Sequence, residues 1–450
     1  MSAVPPQYLT DASGFSGFAE QVYAPADEAS VVKIVQGAVR DATPITAVGA
    51  GTGLTGARVP QGGIVLSLEK FRRLEVGNGS ARVGPAVTLL DVREAAAPTR
   101  QFFAPDPTEI TASIGGVIAT NASGSRSFRY GSARRHILGL RVALMSGRVE
   151  EYRRGDRIDF DVPMIPMPDT TKNTAGYRLS PGMDWIDLFT GSEGTLGVIL
   201  EAEISLLPIP ANLFGAVVFF ASDEKALDAV DAWRPHQELR MLEYVDRNSL
   251  DLLRRRYPEI PKEAAAALLI EAEGDDVDVW EERLSSAGAL IEASWFATDP
   301  RDRERFRRFR HSLPELVIEV VVRRGFLKMG TDFAVPLGRS REMLAYYRKQ
   351  LEDRLPDRYV IYGHIGDAHV HVNMLPGSKT EAETASELLD EFARHAVRLG
   401  GTVSAEHGLG KRKAKLLALQ YAPQHIEAMK AVKRRLDPGW LLGRGTLFTL

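Results

Sequence analysis

Residues 48–63 read Val48-Gly49-Ala50-Gly51-Thr52-Gly53-Leu54-Thr55-Gly56-Ala57-Arg58-Val59-Pro60-Gln61-Gly62-Gly63. Gly51 to Gly56 matches G-x-G-x-x-G, which in a nucleotide-binding βαβ unit ends a strand and opens a helix whose N-terminus faces a pyrophosphate. The context excludes that unit. Ala57 to Gly63 holds a proline and two glycines and cannot open a helix of useful length, and Gly63 to Leu68 then reads as a strand. The anion chemistry survives, because a run of small residues lets backbone N–H groups approach a phosphate closely. A tight strand–strand turn without ligand is the alternative.

Outward from this loop the pattern is mixed. Residues 27–40 form an amphipathic helix with acidic residues at its start, and Ile45 to Val48 a strand. Ala81 to Val83 is strand-like, and 84–97 is a loop entering a helix. Residues 104–131, rich in Gly, Pro, Ser, Thr and Asn, read as a long functional loop. Strands recur at 138–144 and 195–206. Leu206 to Pro210 marks a boundary, after which strand and helix alternate: Gly215 to Phe220, Asp223 to Trp233, Ala265 to Glu273, Val277 to Ala287. That alternation predicts an antiparallel sheet covered by helices. A strong helix spans 383–399, and Lys415 to Arg435 is helical before a short apolar tail.

The chain has 450 residues, more than one hydrophobic core holds, so two or three domains are expected. A net charge of -3 gives no reason to expect nucleic acid. There is no cysteine, which excludes disulfides, a thiolate nucleophile and an Fe–S cluster ligated by the chain's own thiolates. No basic region followed by an apolar run opens the sequence, and no stretch approaches the ~20 apolar residues of a membrane span. The expectation is a cytoplasmic protein, with peripheral membrane association through a partner left open.

The second half carries a sharper signal. Residues 363–373 read Gly-His-Ile-Gly-Asp-Ala-His-Val-His-Val-Asn, a bent strand or hairpin that places His369, His371 and Asn373 on one face. Three of the chain's nine histidines fall within eight residues, and imidazole suits zinc, manganese or iron. Residues 401–410, Gly-Thr-Val-Ser-Ala-Glu-His-Gly-Leu-Gly, set a carboxylate beside an imidazole. Hydrogen-bonded structural histidines and a surface Glu-His pair are the alternatives.

Three ordered segments carry a resemblance. Gly49-Ala50-Gly51-Thr52-Gly53-Leu54-Thr55-Gly56 resembles the pyrophosphate loop of the vanillyl-alcohol-oxidase-type flavoproteins. Pro105-Asp106-Pro107-Thr108 through Ile114-Gly115-Gly116, Thr120-Asn121-Ala122 and Tyr130-Gly131 resembles their second flavin segment, and Glu193-Gly194 with Gly197-Val198-Ile199 their third. The likeness spans nearly the whole chain and is nearest to D-lactate dehydrogenases, D-2-hydroxyglutarate dehydrogenases and the catalytic subunit of glycolate oxidase. It implies an α+β fold: a two-lobed FAD domain over 1–207, then a substrate and metal domain over 208–450 with an antiparallel sheet and a tail returning to the FAD domain. These segments would contact FAD, held non-covalently since the chain lacks cysteine and has no histidine in its first hundred residues. The resemblance further implies His364, His371 and Glu406 as ligands of a divalent metal, zinc first, with manganese or iron as alternatives. It implies His407 as base, and Arg310 and Lys328 as partners of a substrate carboxylate. Lys172 to Tyr177 resembles an element lining the substrate entrance. His369 departs from the family's usual Gly-Asp-Gly-Asn and is either a further ligand or a neighbour.

The implied activity is oxidation of a D-2-hydroxy acid to the 2-keto acid, with hydride transfer to FAD. Electrons would leave to a separate acceptor: an electron-transfer protein, a quinone or an Fe–S subunit. A homodimer is compatible. The rivals are a non-redox flavin transferase, like alkyl-dihydroxyacetone-phosphate synthase, and a subunit active only within a glycolate oxidase assembly.

Overall fold

The computed structural model describes residues 4–274, 277–297 and 299–449. The strand Ile45–Val48 lies parallel to Ile64–Ser67, which pairs in parallel with Gln21–Tyr23. Between Val48 and Ile64 the chain makes turns and no helix, so the glycine run is a crossover loop. Helix Glu28–Arg40 covers this small sheet. The Asp27 side chain caps it by accepting from the Ser30 N–H, and Val31, Val35 and Ala38 are buried with Ile45 and Leu66.

A second sheet is antiparallel, in the order Leu74–Val76, Ser80–Val83, Val198–Ser205, Ile137–Ala143, Val149–Arg153. The third has seven antiparallel strands: Trp295–Phe296, Leu213–Phe220, Ala266–Glu273, Leu239–Asp246, Tyr359–Gly363, His371–Met374, Met329–Gly330. The apolar run Leu213–Phe220 is covered on both faces. Ala216, Val218 and Phe220 join one core with Trp233, while Val217 and Phe219 join another with Phe306, Phe309 and Leu313. The period of two thus sends successive side chains to helices on opposite sides.

Several expectations need correction. The 104–131 region is not all loop, since Ile114–Ala119 and Ser127–Tyr130 are helical. The strand expected from 195 begins at Val198, because Glu193 and Gly194 adopt left-handed backbone just before it. The helix expected over Lys415 to Arg435 is broken at Tyr421 and Ala422, where Pro423 opens a new helix to Leu436. The strand after the histidine turn starts only at His371, so His369 precedes it rather than alternating with it.

The C-terminal tail bonds the first sheet: the Ile45 N–H donates to Leu441 O at 2.8 Å and Gly443 N–H to Ile45 O at 2.8 Å. A buried lysine ties it down. Lys433 Nζ donates to Asp437 Oδ2 at 2.5 Å, to Leu442 O at 2.7 Å and to Thr195 O at 2.7 Å. Removing one partner of a buried pair strands the other charge, which costs about 3–5 kcal/mol. Lys433→Met is therefore expected to lower unfolding stability by about 3 kcal/mol or more. Asp437→Leu in the same chain is expected to recover part of that loss, read by denaturant titration of both variants.

Candidate active site

Three distant segments meet one loop, residues 404–412. The Lys411 and Arg412 N–H groups donate to Thr55 O at 3.0 and 3.1 Å, and Thr55 Oγ1 lies 3.4 Å from His407 O. Ala50 N–H donates to Ser113 Oγ at 3.3 Å, which joins the glycine loop to the second segment. Gly191 and Glu193 N–H groups donate to Ile118 O and Ala119 O, which joins the third segment to the second. The buried Glu193 carboxylate then accepts from Leu409 N–H at 2.9 Å and Gly410 N–H at 2.8 Å. Burial pushes its pKa up to about 7, against the lowering effect of those two donors.

The glycine loop fits a pyrophosphate. Gly49, Ala50 and Gly53 are exposed, and Gly51 has φ +85°. That backbone conformation strains any side chain, and a Cβ on Gly51 would also displace the Arg58 guanidinium, 2.2 Å away. Other residues expected at the cofactor also make contacts within the protein. Tyr130 donates to Glu273 Oε1 at 2.5 Å and accepts from Arg240 Nε at 2.8 Å. Asp106 Oδ2 stands 3.2 Å from an Arg126 guanidinium nitrogen, and Asn121 Oδ1 accepts from Arg134 N–H. Gly197, Val198 and Ile199 are buried, and a Cβ on Gly197 would stand 2.5 Å from Val142.

His364 follows the strand Tyr359–Gly363, His371 opens the facing strand, and Glu406 comes from the 404–412 loop. Gly363, at φ +126°, permits the approach: a Cβ there would stand 2.9 Å from the His371 ring. One ligand atom each from His364, His369, His371 and Glu406 lies within 4.8 Å of the others, a donor set that fits a divalent cation. The buried nitrogens of His369 make no hydrogen bond among the described residues, which also fits an occupant. Lys172 Nζ contacts Glu406 Oε1 at 2.6 Å and Asp367 Oδ2 at 3.1 Å. Burial would raise the Glu406 pKa, but His364 and Lys172 outweigh it and hold it well below the usual range. Burial, then the neighbouring His369 and His364, keep His371 neutral and ready to donate.

Two carboxylates that sequence reasoning missed organise these groups. Glu243, on Leu239–Asp246, accepts from His364 Nδ1 at 2.5 Å and from Arg310 Nε at 2.8 Å. Burial would raise its pKa, but Arg310 and His364 hold it far below normal. The bond to Nδ1 leaves His364 Nε2 facing Glu406 Oε1, 3.2 Å away. Asp332, with no exposed surface, accepts from Ser404 Oγ at 2.8 Å, His407 N–H at 3.0 Å and Glu406 N–H at 3.2 Å. Its oxygens also lie 3.4 Å from His407 Nδ1 and 3.4 Å from His369 Nε2. A lone acid within an apolar strand run, as in Leu242-Glu243-Tyr244-Val245, was the available signal for the first.

Arg310 thus reaches the cluster, with one further nitrogen 3.5 Å from Thr108 Oγ1. Lys328 makes no ion pair among the described residues, and burial together with the charge of Lys413 lowers its pKa. The His407 ring stacks on His371 at 5.6 Å between centroids. Burial, Lys413 and Lys328 outweigh Asp332 and Glu406 to bring the His407 pKa down to about 4.

Residues 209–447 match the family described as FAD linked oxidases, C-terminal domain, and residues 19–153 match the FAD binding domain family. A D-lactate dehydrogenase of Archaeoglobus fulgidus is 31% identical, covering 94% of this chain and 90% of its own length. The glycolate oxidase subunit GlcD of Bacillus subtilis is 30% identical over 96% of this chain and 90% of its own. An alkyldihydroxyacetonephosphate synthase structure shares the fold, with a TM-score of 0.68 at 15% identity over 94% of this chain and 76% of its own. No described helix is long and apolar enough to cross a membrane.

Asp332→Ala leaves the Glu406 and His407 N–H groups without their acceptor in a buried loop, while the Ser404 hydroxyl keeps Gly408 O at 3.0 Å. Each such loss costs about 1–3 kcal/mol, so urea titration is expected to show a loss of at least about 2 kcal/mol. An unchanged midpoint would mean that the carboxylate does not hold the loop.

Proposed function

The chain belongs to the FAD-linked oxidases and is an FAD-dependent oxidoreductase, and from that premise we propose that it oxidises a D-2-hydroxy acid of the lactate or glycolate type to the 2-keto acid with help from a divalent cation. The observation that carries this reading is the meeting of His364, His371 and Glu406 with His407 and with Arg310, in which buried Glu243 holds His364 and Arg310 and buried Asp332 faces His407. In this reading residues 1–207 carry the flavin, and residues 208–450 carry substrate and cation, with the tail returning to the flavin half.

Bound FAD supplies the acceptor for the α-hydride. A cation held by His364, His371 and Glu406 would supply Lewis acidity toward the substrate hydroxyl and carboxylate. The chain's own groups do the rest. Arg310, with Nε fixed by Glu243, offers its remaining guanidinium donors to the carboxylate in a planar fork. His407, with Nδ1 toward Asp332, keeps Nε2 for the hydroxyl proton. Lys328 is a second cation for the carboxylate. Any Fe–S carrier must sit on another protein, as the chain has no cysteine, and the GlcD relatives, named as subunits, suit such an arrangement.

His407→Ala is expected to abolish flavin bleaching by D-lactate or glycolate under anaerobic conditions while FAD stays bound; rapid bleaching in the variant would remove the base assignment. A base must be unprotonated, so kcat/KM falls as pH drops through its pKa. With that pKa at about 4, the acid limb is expected below about pH 5 rather than near the usual ~6.5 of histidine. Arg310→Ala is expected to raise the substrate concentration needed for half-maximal reduction by at least about tenfold, ~1.4 kcal/mol.

A further inference from the structure

His369 stands apart from the three ligands named in the proposed function. It has no exposed surface, and neither ring nitrogen makes a hydrogen bond among the described residues. The chain is bent to bring it in. Ala368 adopts left-handed backbone at φ +51°, which costs a non-glycine residue about 1 kcal/mol. The His369 N–H then donates back to His364 O at 3.1 Å. Its ring centroid ends 4.5 Å from that of His371 and 5.4 Å from that of His364.

The three imidazoles share a design. Each has one nitrogen directed to a fixed oxygen: His364 Nδ1 to Glu243 at 2.5 Å, His371 Nδ1 to Thr331 O at 3.1 Å, and His369 Nε2 toward Asp332 at 3.4 Å. An acceptor on one ring nitrogen sets the tautomer and leaves the other nitrogen as a donor to a metal. A buried imidazole without such a task carries a desolvation penalty on its free nitrogen.

We propose that His369 is a fourth protein ligand, giving a three-histidine, one-glutamate site. This rests on the cation-assisted reading above. Ligand counting then limits the metal. A 2-hydroxy acid chelating through hydroxyl and carboxylate adds two oxygens, which makes six donors. Zinc favours four ligands and reaches five under reaction, whereas octahedral nitrogen and oxygen sets suit manganese or ferrous iron. The site would then suit a six-coordinate cation when substrate is bound, and zinc would leave the substrate fewer positions.

The test is X-ray absorption on the FAD-bound protein, stripped with chelator and reloaded with one equivalent of Mn2+, with and without added glycolate. Three imidazoles per metal and a six-donor shell with glycolate are expected. Chelator competition on His369→Asn is expected to show Mn2+ binding weakened at least about tenfold, with one imidazole lost and the flavin spectrum retained. Two imidazoles in the unmodified protein, a count that needs no variant, would overturn the proposal while leaving the cation reading intact. Failure of the unmodified protein to hold Mn2+ or Zn2+ at all would overturn both.

Discussion

The buried carboxylate of Asp332 is the constraint on which the site depends. It collects two backbone N–H groups and a hydroxyl from residues 404–407, and both its oxygens face imidazoles. A charge with no exposed surface is tolerable only when every lone pair is used. Burial pushes the group toward protonation, yet the surrounding His407 and His369 keep it ionised. Its two oxygens each hold one backbone N–H, that of Glu406 and that of His407. Neighbours in sequence, they can then face different tasks.

The same loop is one of the places where the N-terminal and C-terminal halves of the chain meet. Thr55 holds it from the glycine run and Glu193 from the third motif segment, and Thr174 N–H donates to Ser404 O. Gly408 and Gly410 make this approach possible. A Cβ on Gly410 would stand 2.2 Å from Thr55 O, and one on Gly408 2.7 Å from the Glu193 carboxylate. The backbone that carries His407 is thus held by the glycine run and by the third motif segment.

Much of this was legible from residue order. The rejected nucleotide helix after Gly56, the antiparallel sheet beyond residue 208 and the pairing of the histidine turn with the Glu406-His407 segment followed from spacing, turn chemistry and resemblance. Glu243 and Asp332 did not stand out, because a solitary acid gives no pattern until its partners, 67 to 121 residues away for Glu243, are folded against it. Glu193 was read only as part of a flavin segment, although its carboxylate is spent on Leu409 and Gly410. The helix break at Tyr421 and the short helices inside 104–131 were blurred by local propensity, which tertiary packing overrides.

The central claim is that the imidazole–carboxylate cluster holds a cation beside the flavin ring. Anomalous diffraction from crystals of the FAD-bound protein soaked in a manganese salt tests it most directly. The account predicts one strong peak enclosed by His364, His371 and Glu406, within reach of a substrate lying between His407 and the isoalloxazine. A cluster without such a peak, or a ring bound on the far side of the 404–412 loop, would contradict it.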